Sequence, residues 1–231
     1  MRQILLFTSV AAALCAAPLN ARAQDLGKQG DLSVAAERLS GLSTGTISVD
    51  VDGPGGETEL DFVSFRLLVS DAVASDQLSA RLPVFSSPRI GIDYFLTEQL
   101  SLGGSVGLVS TSWDDDGGNS FNATTFLLAL RIGYWLPLNA TFSFWPRGGL
   151  TFMTASASDE DDDDSVSTTL PALTLEGPLM IALGPAFLQV AATLDLSFAG
   201  SAETRVGDQT VSEADVSAFE LGLQAGLGIA F

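Results

Sequence analysis

Charged side chains that stand singly in apolar, alternating stretches mark where this chain could do chemistry. Arg89, Asp93, Arg131, Arg147, Glu176, Asp195 and Glu220 are such residues. Three cations and four anions in this setting suit a salt-bridged polar plug or the lining of a narrow, gated path. A charge withdrawn from water persists only when it is paired and hydrogen-bonded, so the near balance of the set favours the plug.

Catalytic readings find little material. The chain has no histidine, its one cysteine is Cys15 and its one lysine is Lys28. Nucleophiles activated by His or Lys, and zinc sites built from Cys and His, therefore have no donors. The Glu176 and Asp195 carboxylates form a candidate acid–base pair, but a sealed interior gives a substrate no access. No enzyme activity and no cofactor are expected.

The run Asp159, Glu160, Asp161, Asp162, Asp163, Asp164 invites a calcium reading, because hard cations favour clustered carboxylates. It lacks the glycine at the sixth position and the glutamate at the twelfth of an EF-hand loop. The main reading is a solvated, self-repelling loop. Weak divalent-cation binding shared with Asp114–Asp116 is the alternative.

Composition shows how acid and apolar residues coexist. The net charge is −18, with 46% apolar residues and 23 glycines. The acids concentrate in 114–116, 159–164 and 203–215, and the stretches between are nearly free of charge. Nucleic acid is excluded as a partner by that charge.

Those stretches must position the isolated charges, and their period is two. Phe219, Leu221, Leu223, Ala225, Leu227, Ile229 and Phe231 alternate with Ala218, Glu220, Gly222, Gln224, Gly226, Gly228 and Ala230. One face meets an apolar medium and the other a polar or crowded one. Similar strands are predicted over about 88–96, 99–112, 124–138, 141–156, 166–183 and 186–199, with 58–70 as an eighth. Residues 45–52 and 77–85 would make ten. Short connections near 97–98, 137–140 and 184–185 alternate with long acidic ones near 113–120, 157–165 and 200–214, as in a barrel with one inner and one outer rim. The uncharged run 177–194 is interrupted by Gly184-Pro185 and reads as a hairpin rather than a membrane helix. Tyr94, Tyr134, Phe142, Phe144 and Phe231 fall near one rim, and Trp113, Phe121, Phe198 and Phe219 near the other, as two aromatic girdles.

The chain is predicted to be an all-β, antiparallel, up-and-down transmembrane β-barrel of eight strands. Arg2, the apolar run 4–17 and Ala21-Arg22-Ala23 read as a signal peptide over 1–23. Its removal takes Arg2 and Arg22 but no acid, moving the net charge to about −20. Residues 24–43 are expected to be a periplasmic segment with a short helix near 34–39, and 44–231 to be the barrel.

On these features the chain resembles the small outer-membrane β-barrel family, the OmpA-, OmpX- and OmpW-like domains. The resemblance implies residence in the outer membrane of a Gram-negative cell, with lipid and lipopolysaccharide as surroundings. It also implies that Phe231, Ile229, Leu227 and Leu223 form the signal read by the barrel-assembly machinery. It transfers no ligand, because such barrels host unrelated functions. A structural or surface-interaction scaffold is the first expectation, and a narrow channel for small or hydrophobic solutes the second.

Overall fold

A computed structural model describes residues 26–51, 56–67, 70–71, 85–114, 120–159, 164–206 and 209–231. The signal-peptide reading of 1–23 lies outside them, as do most of residues 77–85, the core of the 113–120 loop and Asp161, Asp162 and Asp163. Asp159 and Asp164 close the adjoining strands.

The described residues form strands β1 (Leu32–Val51), β2 (Gly56–Leu67), β3 (Ser70–Asp71), β4 (Arg89–Phe95), β5 (Leu100–Asp114), β6 (Ser120–Tyr134), β7 (Leu136–Pro137), β8 (Phe142–Phe144), β9 (Arg147–Asp159), β10 (Asp164–Leu183), β11 (Ala186–Val206) and β12 (Gln209–Ala230). Every pairing is antiparallel. A ring of eight closes in the order β1, β4, β5, β6, β9, β10, β11, β12 and back to β1. The start of β1 and the end of the chain meet at one rim, where Leu32 and Phe231 exchange backbone hydrogen bonds of 2.8 and 3.2 Å.

Alternation builds the wall. In β6, Phe126, Leu128, Leu130 and Ile132 are exposed while Leu127, Ala129 and Arg131 are buried. A wall whose outer face is Leu, Ile and Phe on strand after strand is stable only in an apolar medium. No helix among the described residues is long and apolar enough to cross a membrane, a statement that does not bear on strands. The 177–194 run is the β10–β11 hairpin, turned at Gly184 with φ +76°. Tyr94, Tyr134, Phe142 and Phe231 are exposed near the rim that carries the short turns, and Phe198 and Phe219 at the other.

Several expectations change. The segment 58–70, expected as the eighth strand, is not in the ring: its described residues form β2 and β3, β2 pairs with β1 and β3, and the eighth place is taken by β1. Residues 32–43 are neither a loose segment nor a helix, because Leu32–Val51 is a single strand paired with β12 on one side and with β4 and then β2 on the other. Residues 45–52 therefore add no strand of their own. Residues 200–214, expected as a loop, continue β11 and β12 as a paired ribbon as far as Val206 and Gln209. Glu203 there accepts hydrogen bonds from Thr210 (2.6 Å) and Arg205 (3.0 Å), which hold its carboxyl below the ordinary glutamate range. Ile229 shares a face with the exposed Leu223 and Leu227, yet its neighbours cover it. A tilted strand crosses a bilayer in about 9–11 residues, so strands of 20 to 22 residues carry hairpins well beyond the membrane.

Glycine lets neighbouring strands carry long side chains between them. A Cβ on Gly149 would overlap the Leu130 carbonyl oxygen and stand 2.7 Å from the Arg131 Cα. On Gly148 it would meet the flexible Leu175 side chain at 3.0 Å and the Thr174 carbonyl oxygen at an ordinary contact distance of 3.7 Å. Gly149→Ala should lower the unfolding free energy in lipid by about 1–3 kcal/mol, the usual cost of overpacking, and Gly148→Ala by clearly less. Equal losses in denaturant titrations would contradict this packing.

Candidate functional site: the charged lumen

The lumen is filled in three layers. At the rim with the short turns, Phe95, Trp135, Trp145, Met180 and Phe187 pack with Leu26 into an apolar floor. Phe95 stacks on Trp145 with ring centres 5.4 Å apart, and Trp135 stands edge-on to both. Toward the hairpins, Phe85, Leu127, Met153, Leu170 and Val216 form a second apolar layer. The charges lie between.

All seven residues singled out by sequence are buried there: Arg89 and Asp93 on β4, Arg131 on β6, Arg147 on β9, Glu176 on β10, Asp195 on β11 and Glu220 on β12. The structure adds Glu37 and Arg38 from β1 and Arg66 from β2. Among the described residues the buried set is thus five arginines and five carboxylates.

Register brings them together. One row across the sheet runs Asp93, Gly103, Arg131, Gly149, Thr174, Asp195, Glu220, Gly45. Large charged groups share this row with glycines, whose missing Cβ atoms leave room for them. The same holds at Gly91, where a Cβ would come within 2.7 Å of both the Arg131 guanidinium and the Glu37 carboxylate.

Arg131 donates to both oxygens of Glu37 at 2.7 Å and to Asp93 at 2.5 and 2.9 Å. Glu176 is shared by Arg38 (3.0 Å), Arg89, Arg131 (3.5 Å) and Arg147 (3.0 Å). Arg147 also reaches Glu37 at 3.0 Å, and its guanidinium lies 5.0 Å above the Trp145 ring, linking the charges to the floor. Arg38 donates to Asp195 at 2.9 Å, and Asp195 accepts a further bond from Thr174 at 2.6 Å. The carboxylates of Glu176 and Asp195 are thereby committed to structural partners rather than free to exchange protons with a substrate. No group of three or more metal-ligating side chains occurs among the described residues.

Glu37 and Arg38 were missed because they break the rule that reveals the others. Consecutive residues of a regular strand point to opposite faces, yet both of these are buried inside. Residues 37–39 of β1 face only Gly226 of β12, and Arg38 has φ +53°. This bulge adds residues on one strand and re-aims their side chains. It falls where the neighbour of β1 changes, since β4 pairs as far as Glu37 and β2 starts at Ser40. The signal in sequence was the adjacent Glu-Arg pair in a stretch, 32–49, that is otherwise uncharged. Arg66 could have been read from its place opposite Val63, Phe65 and Leu67.

Two spaces of about 10 Å³ flank the network, one beside Arg89, Arg131 and Thr151 and one beside Arg38, Gln189 and Thr193. Each has room for one water. The 450 Å³ cavity lies elsewhere, open at the rim below Trp135 and Met180.

No family model matches the sequence, and no curated protein matches it either. Solved structures do. The chain is similar to the outer membrane protein AlkL, with 16% identity over 88% of this chain and 91% of that one and a TM-score of 0.51. It is also similar to the outer membrane protein OprG from Pseudomonas aeruginosa (12%; 88% and 97%; TM-score 0.48) and to the outer membrane protease OmpT from Escherichia coli (12%; 91% and 98%; TM-score 0.40). The likeness is one of fold. Closed ring and apolar exterior together make this chain an integral membrane β-barrel of the bacterial outer-membrane type.

Removing one partner from such a network strands its counter-charges. Arg131→Met should destabilise the barrel by about 3–5 kcal/mol, with part of the loss restored by adding Glu37→Gln. Denaturant titrations in lipid vesicles that show a loss below about 1 kcal/mol would contradict the pairing described.

Proposed function

We propose that this outer-membrane barrel is a closed scaffold that carries acidic hairpins on the outer surface of the cell and conducts no solute. The observation behind this reading is the filled lumen: a charge layer of five arginines and five carboxylates between two apolar layers. Eight strands enclose a space just wide enough for side chains, and here large ones occupy it. The hairpins carry Asp50, Glu57 and Asp215 in one lateral row, so the surface they present is strongly anionic.

The partners follow from the two surfaces. Outer-membrane lipid and lipopolysaccharide surround the apolar belt. The barrel-assembly machinery reads the last strand through Phe231, Leu227 and Leu223, which are exposed, and through Ile229, which is covered once the barrel has closed.

Planar-bilayer recording tests the closed lumen. Folded protein, verified by its slower or faster migration before boiling, should give no single-channel steps. Stable steps whose size changes in Arg131→Ala would overturn the scaffold and establish a narrow channel instead.

A further inference from the structure

Between β3 and β4 the chain re-enters the lumen. Phe85, Ser86, Ser87 and Pro88 are all buried, and none belongs to a strand. Non-strand backbone inside a membrane barrel must find its hydrogen bonds on the wall, and this segment finds them on charged side chains. The Phe85 N–H donates to Glu220 Oε2 at 2.8 Å. Arg38 Nη1 donates to the Phe85 carbonyl at 2.6 Å, and Arg66 donates to the Ser86 carbonyl. The Phe85 ring meanwhile fills the apolar layer among Leu127 of β6, Met153 of β9, Leu170 of β10 and Val216 of β12.

These contacts define a seat for a short extended peptide: one acceptor and two donors aimed at consecutive backbone groups, with an apolar pocket for one aromatic side chain. Of the strands that form the seat, β1, β6, β9, β10 and β12 belong to the ring of eight, and β2, which carries Arg66, is held by its ladder with β1; none of these pairings involves the segment. We infer that Phe85–Pro88 is a separable stopper, a self-ligand that sits in a backbone-recognition site of the upper lumen and controls access from the hairpin mouth to the buried charge layer. When it withdraws, Glu220 and Arg38 are opened to that side, whereas the floor of Phe95, Trp135 and Trp145 stays shut. The barrel then becomes an outward-facing cup, lined above by apolar side chains and below by charge, rather than a through-channel. Its state is accordingly independent of whether the bilayer recordings are silent.

Amide exchange on the unmodified, folded protein in lipid reads the separability directly. Local opening lets an amide exchange without global unfolding. The Phe85 amide should exchange at least about 100-fold faster than those of Leu194 and Leu221 in the β11–β12 ladder. Exchange less than that far ahead of the ladder would overturn the proposal, because the segment would then open only with the barrel. Access is read by a cysteine placed at Ala172, in the layer that Phe85 covers, with the parent chain as the blank. A small charged thiol reagent added from the hairpin side should label Ala172→Cys about tenfold faster when Phe85→Ala is added, a ratio expected for loss of a steric cover. An unchanged labelling rate in protein that retains its heat-dependent gel shift would overturn the stopper.

Discussion

Neutrality inside a narrow space is the constraint on which this molecule depends. Five guanidinium groups and five carboxylates lie out of water, and each ion so placed costs several kcal/mol unless its partners are close and well aligned. The layer is therefore stable only as a whole. Glu176 illustrates this, since four arginines from four strands converge on it, so the register of those strands and the charge of the layer are one requirement. The apolar exterior holds the barrel in the membrane without specifying register to this degree, because one Leu on the lipid face serves much like another.

The bulge at residues 37–39 is how β1 meets that requirement. A regular strand would have sent Glu37 and Arg38 to opposite faces, leaving one of them in lipid. Turning Arg38 to φ +53° brings both inside, a strain of the kind that the surrounding structure must over-determine. It does so with Arg131 and Arg147 on Glu37 and with Asp195 and Glu176 on Arg38. Gly226 completes the arrangement, because a Cβ there would come within 2.5 Å of the Ala36 carbonyl oxygen.

The same geometry explains what was legible in the sequence. Regular alternation in β4, β5, β6, β10, β11 and β12 exposed the barrel, and single charges on the inward parity exposed Arg89, Asp93, Arg131, Arg147, Glu176, Asp195 and Glu220. Period-two reasoning has no way to register a place where two neighbours share a face, so the first strand was mistaken for a loose segment at Glu37-Arg38. The outer ribbon of β11 and β12 was hidden for a different reason: beyond the membrane both faces are wet, so Thr204, Arg205 and Ser212 need not alternate with apolar residues. The stopper was out of reach because Phe85-Ser86-Ser87-Pro88 has no periodicity, and only the folded wall shows that Arg38, Arg66 and Glu220 point at its backbone.

A dry, mutually paired charge layer and a hydrated one differ in how they respond to salt. Mobile ions screen over about 3 Å at 1 M and about 10 Å at 0.1 M, but only where water carries them. A double-mutant cycle on Arg131 and Glu37, run at low and at high salt on protein folded in lipid, measures the pair apart from the acidic hairpins. The account predicts a favourable coupling of about 2–3 kcal/mol that stays the same at 0.1 and 1 M salt. A coupling that collapses at high salt would show ions reaching the layer, and would contradict a closed lumen.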